Sequence, residues 1–424
     1  MEASTNSDLA LLATSDIRRF NVLAAKDDGC VRLTLGEPEF PTPAPVCEAV
    51  ARSLAKGQTH YPPNNGRPEL LEALSAYMRR HGLDYGPEEL VVTCGATEAL
   101  SATLMAILDP GDEVVVPTPA FGLYETIVRA AHGRVATLDT SCSGFQIRER
   151  DLRGVVGLRT RAIVITSPNN PTGCVLDSES LDAVADVAAE RGLVVVCDDV
   201  YNRLCYEEGY ERFAPRHPEL RDQTVVVDSF SKPWAMTGWR LGWLAAAPAL
   251  KSQIQKMHQY LVSSVPSFLQ EAAVVALGCD VEPMRQTYRR RRDYVVGRLE
   301  QMGLPVQRPA GAFYAFPDVR SLGMGSEELC ERLIREAGVA CVPGTCFGSE
   351  GFMRLSYCVG DADLKLGLDR IEAFLARLWG EGASSQPRFR IPTDGRFATG
   401  SVYTLPRLQI LIRALRPERR FHVT

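Results

Sequence analysis

The chain has 424 residues, 45% of them apolar, and a formal charge of -5. That length supports a large core spread over more than one compact region, and the charge gives no overall attraction to nucleic acid or to an anionic membrane. No apolar run is long enough to cross a bilayer and Met1 to Asp16 lacks the basic and apolar regions of a secretory signal, so a cytoplasmic enzyme is expected.

From about Glu89 to Pro248, short β-rich runs alternate with segments of helical period. The first run, Leu90-Val91-Val92-Thr93, leads into Cys94-Gly95-Ala96-Thr97-Glu98-Ala99. A strand-to-helix turn there leaves the N–H groups of Gly95, Ala96 and Thr97, and the Thr97 hydroxyl, free to meet an anion. Such a glycine turn is common and says little alone. The second run, Glu113-Val114-Val115-Val116, precedes Pro117 to Tyr124, where Phe121 can stack on a planar ring or simply fill the core. Ala162-Ile163-Val164-Ile165 precedes Ser167-Pro168-Asn169-Asn170-Pro171-Thr172-Gly173, in which two prolines fix the backbone and the Asn170 amide stays free. Leu181, Val184, Ala185 and Ala188 mark one face of a helix started near Asp177 or Ser178 and stopped by Gly192.

Leu193-Val194-Val195-Val196 then delivers Cys197-Asp198-Asp199-Val200-Tyr201. A carboxylate at a strand end either caps a helix or holds a ring nitrogen protonated; Asp198 and Tyr201 are the pair chosen for the second role. Thr224-Val225-Val226-Val227-Asp228 delivers Ser229-Phe230-Ser231-Lys232, with Arg240 eight positions beyond the lysine. Two hydroxyls and a guanidinium suit a phosphate, and a lysine in a partly dry pocket can lose its proton and become a nucleophile. Lysine is scarce in this chain and arginine abundant, so a lysine wanted only for surface charge could have been an arginine. The Ser229-x-x-Lys232 spacing also matches serine acyl-enzymes, but these need Ser-Asp-Asn and Lys-Thr-Gly triplets, and neither occurs. A phosphate site beside an imine-forming amine points to pyridoxal 5'-phosphate (PLP). Continuous apolar runs belong to sheets covered on both faces, so the fold class expected is α/β with a mostly parallel sheet and ligands outside its carboxyl edge.

After about Glu282 the pattern changes to a basic helical stretch, Arg285 to Arg298, and then to shorter α+β elements ending near Trp379. Within it, Gly351-Phe352-Met353-Arg354-Leu355-Ser356 puts one arginine into an apolar run, where it needs an anion. The division expected is 1–55 as an N-terminal arm and part of a small domain, 56–281 as the large domain, 282–379 as the small domain, and 380–424 as linker and basic tail. That tail carries eight arginines from Arg388 to Arg420. A short helix can start at Thr404-Leu405-Pro406, and the tail packs on its own protein, is partly disordered, or serves as a basic amphipathic docking helix. The twelve cysteines include no C-x-x-C pair, and with Cys94, Cys197 and Cys341 in apolar strand-like stretches the cysteines read as small core residues. The six histidines show no ligand spacing, so no metal is expected.

Taken together, these motifs resemble the fold-type I PLP-dependent aminotransferases of class I/II over roughly residues 15–378. The likeness also rests on Gly36-Glu37-Pro38, Tyr61 to Gly66, Met236-Thr237-Gly238-Trp239-Arg240, Gly311-Ala312-Phe313-Tyr314 and Pro343 to Gly348. With Ile17-Arg18-Arg19-Phe20, they are most similar to the branch of aromatic and acetyl-diaminopimelate aminotransferases. The resemblance implies a PLP-transferase fold with a larger and a smaller α+β domain. It implies that Lys232 forms the imine and moves the proton, and that Asp198 pairs with the pyridine nitrogen. Tyr201 and Asn170 would meet the ring oxygen, and Phe121 would stack on the ring. Ala96, Thr97, Ser229, Ser231 and Arg240, next to Gly95, would hold the phosphate, with Tyr61 contributed from the neighbouring subunit of a homodimer. Gly36, Asn170 and Arg354 would bind the substrate carboxylate. Asp199 departs from the family pattern, where a longer glutamate is usual, and the tail after Gly380 has no counterpart.

The reaction implied is amino transfer between an L-amino acid and a 2-oxo acid. Lyases, cyclases and oxidases on the same scaffold share its cofactor residues and form the alternative. A PLP-binding transcriptional regulator would need a winged-helix domain ahead of Gly36, and the stretch there is too short.

Overall fold

The computed structural model describes residues 16–385. Up to Leu378 they form one compact unit, and Trp379 opens a second. In chain order the strands are β1 (Val31–Arg32), β2 (Leu90–Thr93), β3 (Glu113–Thr118), β4 (Arg134–Asp139), β5 (Thr160–Thr166) and β6 (Val194–Asp198). They continue as β7 (Thr224–Ser229), β8 (Gly242–Ala246), β9 (Tyr314–Ala315), β10 (Val339–Ala340), β11 (Val342–Pro343) and β12 (Met353–Ser356).

Seven strands form the main sheet in the order β2-β8-β7-β6-β5-β3-β4. All neighbours are parallel except β8, which runs antiparallel to both β2 and β7. The apolar runs are continuous because both faces are covered. Along β7, Val226 enters one apolar cluster and Val225 and Val227 another. Along β5, Ala162 and Val164 face one way and Ile163 and Ile165 the other. Helices Gly95–Ile107, Leu123–Ala130 and Pro248–Val262 supply partners on the first face, among them Leu104, Val128 and Ile254. Helix Ser178–Arg191 supplies Leu181, Val184, Ala185 and Ala188 on the second. Each fully buried valine or leucine contributes roughly 1.5–3 kcal/mol.

That helix starts and stops for the expected reasons. Asp177 accepts a hydrogen bond from the Ser180 N–H at 2.8 Å, and Gly192 ends it at φ 65°. Two strands were not legible. β4 is an edge strand with polar alternation, and β8 is built of Gly242-Trp243-Leu244-Ala245-Ala246, none of it β-branched.

Two smaller sheets complete the unit. β1 lies parallel to β10, and β11-β12-β9 is antiparallel, pairing Val342 with Arg354 and Tyr314 with Ser356. Residues before Ala55 divide: Phe20, Val31 and Leu33 join the cluster of the small sheets, whereas Val46 and Ala49 of helix Ala44–Ala55 pack with Leu70 and Ala272. The basic stretch forms helix Glu282–Gln301.

Three expectations are corrected. Helix Asp361–Ser385 continues through 380–385, the stretch expected to begin a linker, so that Gly380 and Gly382 lie inside a helix rather than ending it. Cys94 lies just beyond β2 and is half-buried, since the strand ends at Thr93. Cys47 and Cys142 are exposed rather than core residues, whereas Cys197 and Cys341 are buried. The helix expected from Thr404 lies outside the described residues. Among the described residues, no helix is long and apolar enough to cross a membrane.

Asp177→Ala removes both the cap and a partner of Arg148, which donates to it at 3.0 Å. A loss of about 1 kcal/mol is expected, read as a lower urea midpoint with unchanged slope; an unchanged midpoint would show that the cap is dispensable.

Candidate active site

The carboxyl ends of β5, β6 and β7 meet the first turn of helix Gly95–Ile107 and residues 34–36 around a cavity of about 320 Å³. Strand alternation decides which of two neighbouring aspartates serves it. Val196 belongs to one face of the sheet and Cys197 to the other, so Asp198 and Asp199 part company. Asp198 lines the cavity, while Asp199 has Arg212 as its ion-pair partner at 3.6 Å.

Asp198 is buried and held by two donors, the Tyr124 hydroxyl at 2.7 Å and the Val200 N–H at 3.4 Å. Burial raises its pKa, and these hydrogen bonds and the charge of Lys232 oppose the rise. Tyr124 also meets the Thr166 hydroxyl at 2.6 Å. Lys232, half-buried, donates to the Gly36 carbonyl at 2.5 Å. Burial lowers its pKa to about 8, so a usable fraction of the amine is neutral near physiological pH.

One end of the cavity is built for an anion. The Ser229 hydroxyl donates to that of Ser231 at 2.8 Å, and both line the cavity with Ala96, Thr97 and Arg240. Arg240 adopts φ 54°, unusual outside glycine, and its guanidinium lies over Gly95 so closely that a Cβ there would overlap Nη2. Gly242 lets the backbones meet: a Cβ would lie 2.9 Å from the Gly95 carbonyl carbon and 3.0 Å from the Ala96 nitrogen.

The other end carries Arg354 on β12. It is buried, donates to Asn170 Oδ1 at 2.9 Å and to the Thr34 carbonyl at 2.6 Å, and lies 4.5 Å from the Tyr314 ring centroid. Among the described residues no carboxylate pairs with it, and its Nε has no hydrogen-bond partner. Tyr201 and Tyr314 join hydroxyls at 2.8 Å. Burial holds the Tyr201 hydroxyl well above its usual pKa, so it is protonated.

Of the residues singled out from sequence, Gly36, Ala96, Thr97, Phe121, Asn170, Asp198, Tyr201, Ser229, Ser231, Lys232, Arg240 and Arg354 all line this cavity. Gly95 lies behind Arg240, and Tyr61 is 90% exposed, away from the cavity of its own chain. Its loop is tied down through Asn64, whose carbonyl is 2.8 Å from His258 Nε2. Sequence reasoning missed Tyr124, Thr34 and Tyr314 as supports. The first and last stand in quoted motifs, but nothing local separates them from core aromatics.

The family model for aminotransferase class I and II matches residues 28–371. The chain belongs to that family. It is therefore an enzyme that moves an amino group between an amino acid and a 2-oxo acid, in a family that uses PLP. It is 38% identical over 384 residues to a Bacillus subtilis protein named "Probable N-acetyl-LL-diaminopimelate aminotransferase", covering 89% of this chain and 97% of that one. It is 37% identical over 378 residues to the aromatic-amino-acid aminotransferase 2 of Thermococcus litoralis, covering 87% and 97%. A solved structure of Thermus thermophilus aspartate aminotransferase with maleate superimposes with a TM-score of 0.83 at 38% identity, over 88% of this aminotransferase and 100% of that chain. The expected branch and the fold-type I architecture are thus borne out. Three relatives of similar identity bear three different substrate names, so likeness fixes the reaction class and leaves the side chain open.

Tyr124→Phe tests the support of Asp198. Removing a donor from a buried carboxylate is expected to lower stability by about 1–3 kcal/mol, seen in the denaturant midpoint. Unchanged stability would mean that the Tyr124 bond to Asp198 is not formed.

Proposed function

We propose that this aminotransferase holds PLP in the cavity between Arg240 and Arg354, with residues 56–281 as the large domain and 282–379 with the N-terminal arm as the small one. What carries the reading is a buried guanidinium without a carboxylate partner, Arg354, on the same cavity as an amine of pKa about 8. The donor set fits the cofactor along its length. Ser229, Ser231, Arg240 and the free N–H groups of Ala96 and Thr97 suit its phosphate, with Gly95 leaving room for Arg240. Phe121 suits a ring face, Asp198 its nitrogen, and Tyr201 and Asn170 its phenolic oxygen.

When bound, PLP supplies an electron sink that acidifies the α-carbon of an attached amino acid. The chain supplies everything else. Asp198, buried but hydrogen-bonded as an anion, keeps a proton on the ring nitrogen. Tyr201 donates to the ring oxygen from its own protonated hydroxyl. Arg354 offers a planar fork to the substrate α-carboxylate, with Asn170 and the open backbone at Gly36 beside it. Lys232 would carry the proton to and from the α-carbon.

The exposed Tyr61 supports a homodimer in which it reaches the phosphate of the neighbouring site. Buried free thiols such as Cys197, Cys330 and Cys341 support a reducing, cytoplasmic setting.

Lys232→Ala is expected to abolish the visible absorption of covalently held PLP and to lower turnover by about 10²–10⁴-fold. In the wild type, amino acid should form from the oxo acid in step with donor loss. Retention of the absorption in the variant would remove Lys232 from its role; release of ammonia without product amino acid would favour a lyase or oxidase.

The pH dependence follows from the amine. Below about 8 Lys232 is mainly protonated, and only its neutral fraction can attack an aldehyde. Incorporation of PLP into apoprotein should therefore accelerate about tenfold per pH unit up to that value and then level off. A rise continuing past pH 10 would show an amine of ordinary pKa.

A further inference from the structure

A second cavity, of about 560 Å³, is lined by Asn202 and Arg203, which follow Tyr201 directly, and by His81, Arg212, Arg216 and Arg285. Its glutamates are already engaged. Glu207 pairs with Arg292 at 2.6 Å, Glu211 with Arg216 at 2.7 Å, and Glu282 with Arg285 at 2.7 Å. Arg216 is further held by Asp182 through two hydrogen bonds. Arg203 and Arg212 are different.

Arg203 forms no ion pair among the described residues; it donates to His81 Nε2. The other ring nitrogen explains how. His81 Nδ1 lies 2.7 Å from the Tyr77 carbonyl, an acceptor only, so Nδ1 carries the proton and Nε2 presents its lone pair. Burial, reinforced by Arg203 and Arg212, lowers the His81 pKa and keeps that tautomer neutral. Arg212 donates to the His81 carbonyl at 2.6 Å. Its one carboxylate neighbour, Asp199 Oδ2, stands 3.6 Å away and accepts no hydrogen bond. One residue thus orients two guanidiniums through neutral acceptors: among the described residues Arg203 has no carboxylate to cancel its charge, and Arg212 shares its charge with Asp199 at 3.6 Å without a hydrogen bond.

We infer that this cavity is a binding site for a small polyanion, one carrying at least two phosphate or carboxylate groups, seated on Arg203 and Arg212. Arg285, which spends part of its fork on Glu282, adds to the field at the wall. The site shares its Asn202–Arg203 turn with Tyr201, and Asn202 bonds both the Asp199 carbonyl at 2.6 Å and Asp228 at 2.8 Å. An occupant would therefore touch the segment that carries two residues of the cavity in front.

The test uses the full chain saturated with PLP, so that a free phosphate cup cannot supply the signal. Pyrophosphate and citrate are titrated separately by calorimetry. Saturable binding of one molecule per chain is expected for at least one of them, and which one binds decides between phosphate and carboxylate sources. Arg203→Gln should weaken it about tenfold or more, while Arg320→Gln, at an exposed pair with Asp318, should leave it unchanged. Glu211→Gln removes a negative charge from the rim, and Arg216 keeps Asp182; it should tighten binding, an effect no folding defect imitates. Absence of saturable binding by both anions, or equal affinity in the wild type, Arg203→Gln and Glu211→Gln, would overturn the assignment.

Discussion

A carboxylate taken out of water is destabilising by several kcal/mol unless it is hydrogen-bonded or paired, and Asp198 is such a carboxylate at the end of β6. The rest of the cavity is arranged around that constraint. Tyr124 reaches it from the helix after β3, Val200 from its own turn, and the charge of Lys232 acts from the end of β7. An aspartate so held suits the cationic ring nitrogen proposed for it.

The arginines show how burial and pairing together separate structure from function. Arg292 is as buried as Arg354 and Arg291 nearly so, but each has two carboxylates, Glu39 and Asp361 for Arg291 and Glu207 and Asp293 for Arg292. They bind the long helix to its surroundings. Arg354 has an amide, a carbonyl and two aromatic rings instead. Such neighbours orient a guanidinium without neutralising it, which supports the proposal that a ligand carboxylate supplies the opposite charge. Arg203 repeats the pattern with a histidine at the second cavity.

Much of this was legible because parallel strands covered on both faces leave a strong signal. Five apolar runs located five strands, and their carboxyl ends located Thr97, Asn170, Asp198, Ser229 and Lys232. Other parts left no such signal. β8 runs antiparallel between β2 and β7, and its glycine and alanines are explained by neighbours: Gly242 has to let the Gly95 turn come within contact, a requirement created by a segment almost 150 residues away in sequence. Tyr124 and Tyr314 are ordinary core aromatics until their hydroxyls are seen at Asp198 and Tyr201.

The order of residues along the chain determined the α/β class, the edge of the sheet at which the cavity opens, and the lysine proposed to act there, because these depend on period and on residue type at strand ends. Only the tertiary structure decided that Asp198 and Asp199 face opposite ways into different surroundings, that burial brings Lys232 to a pKa of about 8, and that Arg354 has no carboxylate partner among the described residues. Those properties belong to solvent exclusion and to partners distant in sequence, and no local pattern encodes either.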